Sequence, residues 1–266
     1  MRFISLSSLT IAALTIGAFG NASAADIPAA PMYKAPAAVM VFSWTGLYLG
    51  ANVGGHWGND AITTTADVPN FGAVSAANID ALSPTNLKPN GFVGGLQAGY
   101  NWQVNNFVLG VEADANYLSG QASRALVFLG PAPAAGDTLT NRTRANSLVT
   151  LRPRAGVTFD RSLLYITGGL AVGTIKTTDS MSTFGGALLA TTNTTKTRMG
   201  WTLGGGWEYA FASSWTAKVE YLYVDLGKFD VAIACAAGCV SANDVVVHHK
   251  YTDHIARLGI NYRFGN

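Results

Sequence analysis

Apolar and polar side chains alternate along the last segment of the chain, residues 251–264 (YTDHIARLGINYRF). Every second residue after His254, up to Phe264, is apolar or aromatic, whereas the residues between them include Arg257 and Arg263. Because successive side chains of a β-strand point to opposite faces, the segment predicts a strand with one apolar and one charged face. A soluble sheet would bury the apolar face, whereas a barrel in a bilayer would turn it toward lipid.

Seven similar segments precede this one, and their spacing alternates. They are residues 44–57, 91–102, 107–118, 147–159, 163–175, 198–211 and 215–226. Three connections are as short as hairpin turns, namely 103–106, 160–162 and 212–214. The other four, 58–90, 119–146, 176–197 and 227–250, are long. This alternation is typical of outer-membrane barrels. We therefore predict an all-β fold, an eight-stranded antiparallel transmembrane β-barrel with four long extracellular loops and three short periplasmic turns.

The polar faces of these segments define a predicted lumen. It contains Glu112, Asp114, Arg152, Arg154, Glu208, Lys218, Glu220, Arg257 and Arg263. Four acids and five bases in the narrow interior of an eight-stranded barrel favour an ion-pair network that plugs it, because buried charges must be paired. The alternative is a selective ion pore. A soluble calycin-type barrel is the rival fold, and it would instead have an apolar interior.

Other details of the segments modify this picture. Aromatic residues stand at the segment ends, as expected for two girdles at the membrane surfaces. They are Trp44, Trp57, Tyr100, Trp102, Phe107, Tyr117, Phe159, Phe211, Trp215, Tyr223, Tyr262 and Phe264. Pro153 cannot donate a ladder hydrogen bond, so we expect a bulge there. Segments one, two and five are too rich in glycine for their faces to be assigned.

Composition supports a membrane protein. Charged residues make up 12% of the chain, about half the usual quarter of soluble domains, and the mean hydropathy is +0.23. The net charge is +2, and the basic residues are scattered rather than gathered in a stripe. The sequence therefore gives no sign of a nucleic-acid-binding surface.

The first 24 residues predict an exported protein. Arg2 precedes an apolar run from Phe3 to Phe19, and Ala22-Ser23-Ala24 matches a cleavage site, so we predict a secretory signal peptide over residues 1–24. The alternative, a membrane anchor, is disfavoured because the apolar run is short. Residues 25–41 are rich in Pro and Ala and predict a periplasmic linker, which leaves residues 42–266 for the barrel.

No motif argues strongly for catalysis or a cofactor. Cys235 and Cys239 lie close together in a long loop, and in an oxidising compartment a local disulfide is the default expectation. His248 and His249 follow in the same loop, so a metal or haem site is an alternative, although the spacing differs from that of the usual metal signatures. Asp225 and Asp230 could serve a membrane-embedded hydrolase, but no partner histidine can be identified. We expect no enzyme, no bound metal and no cofactor.

Four blocks of the sequence resemble a known family. They read WTGLYLGANVGGHWG, LRPRAGVTFDRSLLYITGGLAVG, WTAKVEYLYVDLG and HIARLGINYRF. Together they resemble the small outer-membrane β-barrel proteins of α-proteobacteria, often called outer membrane immunogenic or porin-family proteins and related to the OmpA transmembrane domain. The resemblance covers about residues 42–264. It implies an eight-stranded barrel in the outer membrane of a Gram-negative cell, with both termini in the periplasm.

The same resemblance carries expectations about function. It implies an abundant surface antigen that contributes to envelope integrity, surrounded by outer-membrane lipid and lipopolysaccharide. It also implies recognition by the barrel-insertion machinery of a terminal aromatic signal, for which Tyr262 and Phe264 are the candidates. In this family the last residue is typically Phe, whereas here Gly265 and Asn266 follow Phe264. Some relatives are reported to bind haem, but no residue-level motif can be transferred.

The main hypothesis is a monomeric, structural, surface-exposed barrel with a plugged lumen and no catalysis. The second hypothesis is a narrow pore, or capture of haem or another ligand by the long loops, as in an adhesin. The third is a membrane-embedded hydrolase.

Overall fold

The computed structural model describes residues 42–66, 85–127, 138–182, 188–233 and 245–264. The predicted signal peptide, the linker, Cys235, Cys239 and the last two residues lie outside these ranges. None of the described residues forms a helix that is long and apolar enough to cross a membrane.

Ten strands form one antiparallel sheet. The strands are β1 (Gly46–Ala66), β2 (Thr85–Leu87), β3 (Asn90–Val104), β4 (Phe107–Leu118), β5 (Ala122–Val127), β6 (Thr138–Phe159), β7 (Ser162–Ser182), β8 (Leu188–Ala210), β9 (Trp215–Ile233) and β10 (Val245–Phe264). Eight of them follow one another around the wall, and β10 closes it by pairing with β1 from Phe264–Leu47 to Val245–Ala66. The short strands β2 and β5 pair with the outer parts of β1 and β6. The prediction of an eight-stranded barrel closed by its first and last strands is confirmed.

The strands extend much farther than predicted at the loop end. Six of the eight wall strands are 19 to 23 residues long, whereas about 9 to 11 residues cross a bilayer. Polar, threonine-rich stretches such as 191–197 continue the ladders. Threonine is common in polar loops, but it also has a high preference for β-strands and forms favourable cross-strand pairs. The barrel wall therefore continues above the apolar part, and the connections are shorter than the sequence suggested. The three tight turns at the other end are confirmed.

The outer face carries a continuous band of apolar side chains. On β10 it runs from Phe264 to His254, and on β1 from Leu47 to Trp57, and every outward residue except Gly55 is exposed on the isolated chain. We call this the apolar band. One predicted girdle residue is wrong, because Trp44 is fully buried and lies inside the barrel mouth rather than on its outer face.

Two bulges lie just above the apolar band. Between the pairs Ala145–Ile175 and Ser147–Thr174, β6 has an extra residue, Asn146, relative to β7. Between Lys250–Lys228 and Thr252–Asp225, β9 likewise has an extra residue relative to β10. Both bulges reverse which residues face outward on the strand above them.

The bulge predicted at Pro153 is wrong. The pairs Leu151–Leu170 and Arg154–Thr167 keep the same register, so no residue is inserted between them. The missing N–H of proline instead interrupts the ladder with β7, and the Thr167 hydroxyl donates to the Pro153 carbonyl at 2.9 Å.

The wall is not sealed along its whole height. Strands β8 and β9 pair from Ala210–Thr216 only as far as Trp201–Asp225, although both strands continue above that level. Arg198 of β8 bridges the seam by donating to the Lys228 carbonyl of β9.

Candidate functional site: the charged lumen

Opposite charges face one another across neighbouring strands on the inner face. The directly paired residues are Glu112 and Arg152 on β4 and β6, Glu208 and Lys218 on β8 and β9, and Glu220 and Arg257 on β9 and β10. Opposite charges at such positions stabilise a sheet. The strand register therefore places acids beside bases, and two of these three neighbour pairs, Glu112–Arg152 and Glu220–Arg257, are also ion pairs.

Two arginines hold the centre of the cluster. Arg152 Nη2 lies 2.6 Å from Glu112 Oε1 and 2.8 Å from Asp114 Oδ2. Arg257 donates from Nε to Glu220 Oε2 at 2.7 Å and from Nη2 to Asp114 Oδ2 at 3.1 Å. The two guanidinium groups thus share three carboxylates, and charge-assisted bonds of this kind are the stronger ones in proteins.

Lys218 and Arg154 complete the set of bases. Lys218 Nζ lies 2.8 Å from both oxygens of Glu112, and Arg154 Nη1 lies 3.1 Å from Glu208 Oε2. The eight side chains are all buried, with at most 3% of their surface exposed. They are the acids Glu112, Asp114, Glu208 and Glu220 and the bases Arg152, Arg154, Lys218 and Arg257. Four acids face four bases, so the formal charge of this cluster is zero; we call it the lumen network.

Arg263, which the sequence groups with these residues, occupies a different place. It lies near the strand end at the periplasmic mouth, where its guanidinium donates to backbone carbonyl oxygens of Ser43 and Thr45 and lies 4.4 Å from the Phe42 ring centroid. Among the described residues it makes no ion pair within 4 Å.

Two tyrosines belong to the lumen network but were missed from the sequence. Tyr48 donates to Glu112 at 2.7 Å, and Tyr165 donates to Glu220 at 2.9 Å. Both stand on glycine-rich strands whose faces could not be assigned. Each ring lies across a glycine of a neighbouring strand, and a Cβ atom on Gly206 would lie 2.7 Å from the Tyr165 hydroxyl. Strict alternation from Leu47 and Leu164 would have placed both tyrosines inward.

Apolar side chains close the interior below and above the lumen network. At the periplasmic mouth, Trp44 packs with Val108, Leu163 and Ala210. On the extracellular side lies a larger apolar cluster that includes Leu222 and Ile255. A cavity inside this upper cluster has a volume of about 10 Å³, barely the room that one water molecule needs.

A second polar cluster lies higher, inside the part of the barrel above the apolar band. His249 Nδ1 lies 2.9 Å from Asp60 Oδ2, and its Nε2 lies 4.0 Å from Asp179 Oδ2. Asn141 donates to the other oxygen of Asp179 at 2.7 Å. Burial raises the pKa of Asp179 above its ordinary value, while the hydrogen bond from Asn141 and the charge of His249 act in the opposite direction.

The two adjacent histidines considered for metal or haem face opposite sides of the wall. His249 is inside and stacks on Phe229 with ring centroids 4.8 Å apart, whereas His248 is on the outer surface beside Asp230. The two rings therefore cannot ligate one group from the same side. Across the described ranges, no three His, Asp, Glu or Cys side chains are arranged to hold a metal ion.

The candidate insertion signal stands at the periplasmic end of the outer face. Tyr262 and Phe264 are in ring contact at 5.0 Å, and Tyr262 also contacts Trp215 at 5.1 Å. Both side chains point outward, as predicted from the alternation.

Comparison with known proteins now identifies the fold. Residues 12–264 match the family described as outer membrane protein beta-barrel domain. The chain belongs to this family. It is 34% identical to the 31 kDa outer-membrane immunogenic protein of Brucella melitensis, over 97% of this chain and 100% of that protein. It is 30% identical to the 22 kDa outer membrane protein of Rhizobium leguminosarum bv. viciae, over 65% of this chain and 67% of that protein.

Solved structures are more distant. The outer membrane protein OprG of Pseudomonas aeruginosa is 10% identical, with a TM-score of 0.45 over 84% of this chain and 99% of that chain. The outer membrane protease OmpT of Escherichia coli is 8% identical, with a TM-score of 0.43 over 85% of this chain and 99% of that chain. At this level of similarity neither structure bears on function. The family assignment places the protein in the outer membrane of a Gram-negative cell, and it confirms the resemblance noted in the sequence.

Proposed function

We propose that this protein is a structural, non-catalytic component of the outer membrane that contributes to envelope integrity and whose lumen is closed to solutes. The observation that carries the proposal is the neutral lumen network of four acids and four bases, all buried and mutually bonded. Buried charges without partners are strongly destabilising, so such a network favours a fixed plug over a path for ions. The apolar clusters below and above the network also fill the interior, which further favours a closed lumen.

Planar-bilayer recording tests the closed lumen. The purified barrel is inserted into bilayers beside a general porin, which shows that the assay detects conducting channels. We expect no reproducible single-channel steps from this protein. Reproducible steps that disappear after heat unfolding of the sample would overturn the proposal and support the narrow-pore alternative.

One contact favours the hydrolase alternative enough to be tested. His248 lies 2.6 Å from Asp230 and 3.4 Å from the Thr65 hydroxyl, an order that resembles a nucleophile, base and acid. The His248 and Asp230 side chains are 41% and 63% exposed, whereas the acid of a catalytic triad is buried and holds the base rigidly. We therefore propose no catalysis. Ester or phospholipid hydrolysis that is lost with Asp230→Asn would contradict this.

The relatives from Brucella are named immunogenic proteins, which supports a surface-exposed role for the upper strands here. Cysteine labelling of whole cells tests it, in a background carrying Cys235→Ser and Cys239→Ser. A membrane-impermeant maleimide should label Lys196→Cys, on the upper part of β8, and should not label Arg161→Cys, in a tight turn. The reverse pattern would show that the long connections face the periplasm.

A further inference from the structure

Basic side chains surround the outer wall just above the apolar band. The exposed cations that the described residues place on this outer surface are Lys88, Arg142, Arg144, Lys176, Lys228 and Lys250. Arg124 and Lys196 are also exposed, but their cross-strand partners Asn141 and Ile175 are buried on the inner face, so both lie on the inner side of the wall. The outward-facing acids of the described residues in this region are Asp230, which is exposed, and Asp225, which is half-buried. The apolar band below contains no outward Lys, Arg, Asp or Glu among the described residues. Positive charge is therefore concentrated at one height of the outer surface.

Two pairs of these cations face each other directly. Lys228 of β9 is the cross-strand partner of Lys250 on β10, and Arg144 of β6 is the partner of Lys176 on β7. Directly opposed side chains have Cβ atoms about 4.5–5.5 Å apart, and like charges at such positions are destabilising. These pairs are unfavourable in the isolated chain and become favourable when an anion lies between them.

The two bulges create these pairs. On β9 the odd-numbered residues face outward up to Asp225, but above the bulge Lys228 faces outward and Phe229 inward. Gly227 makes the turn with φ at +74°, a conformation that glycine adopts without strain. On β6 the extra Asn146 turns Arg144 outward in the same way. Bulges are known to redirect side chains, and here both redirect a base to a position beside another base.

The acids nearby are already engaged. Asp230 pairs with His248 at 2.6 Å, and Asp225 accepts the Gly227 N–H at 2.7 Å. Arg144 donates to the neutral Tyr117 hydroxyl at 2.9 Å. Neither Lys228 nor Lys250 has an anionic partner within the described part of the chain. Both line an open surface pocket of about 350 Å³ on the outer wall, which is large enough for an anionic group.

The height of the pairs indicates which anion reaches them. The four residues lie 13 to 15 positions from the periplasmic ends of their strands. With a rise of about 3.4 Å per residue and a tilt of about 40°, Lys250 lies about 10 Å above His254 at the top of the apolar band. Lipid headgroups occupy this zone, and long basic side chains can reach down into it.

We propose that the pairs Lys228/Lys250 and Arg144/Lys176 each bind a phosphate group on the headgroup of the phosphorylated glycolipid of the outer leaflet. The inference rests on the outer-membrane location and not on the closed lumen, so the conductance experiment does not bear on it.

A lipid-binding assay tests the proposal. The full barrel, washed free of bound lipid in zwitterionic detergent, is titrated with a fluorescent bis-phosphorylated glucosamine lipid at low salt. The same lipid without phosphates and inorganic phosphate are used as separate probes. The variants are Lys228→Gln/Lys250→Gln and Arg144→Gln/Lys176→Gln. The matched control is Lys88→Gln/Arg142→Gln, which also removes two exposed cations of the outer wall but no opposed pair, because the cross-strand partners of Arg142 are Ser123 and Thr178. The heat-shift gel verifies that each variant is folded.

We expect each pair variant to bind the phosphorylated lipid about tenfold more weakly, the loss of roughly one charge-assisted hydrogen bond. The control should bind like the wild type, and the dephosphorylated lipid should bind all proteins weakly. Unchanged binding by the pair variants, an equal loss in the control, or equal binding of the dephosphorylated lipid would each overturn the proposal. Displacement of the lipid by inorganic phosphate at equal concentration would show a free-anion site instead of a headgroup site.

Discussion

Inside the barrel, the cross-strand partners Glu112–Arg152, Glu208–Lys218 and Glu220–Arg257 each join an acid to a base. On the outer wall, Lys228–Lys250 and Arg144–Lys176 each join two bases. The same strands therefore use opposite pairing rules on their two sides. The difference shows where each set of charges finds its partners, because the interior has only its own side chains, whereas the outer wall faces a medium that can supply anions.

The largest loss of stability is expected from removing one charged member of the lumen network. Arg257→Ala leaves Glu220 and Asp114 without a main cationic partner, and removing one member of a buried pair costs about 3–5 kcal/mol. Urea unfolding of the barrel in detergent measures it. Arg263→Ala is the matched control and should cost clearly less, since Arg263 contacts backbone carbonyls and, among the described residues, no carboxylate lies within 4 Å of it. Equal losses for the two variants would show that the lumen network has no special role in stability.

A smaller loss of stability is expected at the β9 bulge, which lies between the inward Glu220 and the outward Lys228. A Cβ atom on Gly227 would have no atom of the described residues within 4 Å, so the effect of Gly227→Ala comes from the positive φ. That strain is worth about 1–2 kcal/mol. Gly206→Ala provides the contrast, because its Cβ would approach the Tyr165 hydroxyl at 2.7 Å and should disturb the bond of Tyr165 to Glu220. If Gly227→Ala is neutral in urea unfolding, the bulge does not depend on glycine.

In the second polar cluster, a substitution of Asp179 is expected to raise the stability rather than lower it. Burial raises the pKa of Asp179 above its ordinary value of 3.8, so the folded state binds this proton more tightly than the unfolded state. The stability contribution of Asp179 is thus greatest below that ordinary value and is lost as pH rises through the raised value. Asp179→Asn, which can keep the bond from Asn141, should be more stable than the wild type at neutral pH.

Measurement of unfolding midpoints for both proteins across acidic and neutral pH tests this sign. The advantage of Asp179→Asn should shrink as pH falls, because the wild-type carboxyl becomes protonated. An advantage that is independent of pH would place its cause outside the titration of Asp179.

The smallest effect is expected from introducing an acid–base pair on the outer wall. Lys228→Glu creates an acid–base pair with Lys250, and favourable cross-strand pairs contribute roughly 0.2–1 kcal/mol. We expect slightly higher stability in zwitterionic detergent, with the gain lost at high salt because exposed charges are screened. Lower stability in the absence of any lipid phosphate would mean that the Lys228–Lys250 repulsion is already relieved within the chain.

The fold and most of the lumen could be predicted because both follow from alternation. Glu112, Arg152, Glu220 and Arg257 lie on segments whose apolar residues fix the outward face, so their inward direction follows from position alone. Tyr48 and Tyr165 were missed because glycines on their strands weaken the apolar face that sets the register.

The features that could not be predicted arise from departures from alternation. A bulge adds one residue and reverses the faces beyond it, and nothing local to Asn146 marks one. At Gly227 a glycine is present, but many glycines elsewhere lie in regular strand. The ends of the strands were also missed, because threonine-rich stretches are compatible with both strand and loop.

The seam between β8 and β9 has a further consequence. Above the pair Trp201–Asp225 no ladder joins the described residues of β8 and β9, so within the described ranges the wall is an open sheet with two unpaired edges. Unpaired edges are templates on which other chains can add a strand. Below that level closure removes the hazard. Above it, Lys196 is exposed beside the seam and Arg198 is bonded across it, and charged side chains at an edge disfavour strand addition. The chain thus guards against edge-to-edge aggregation by closure within the membrane and by charge outside it.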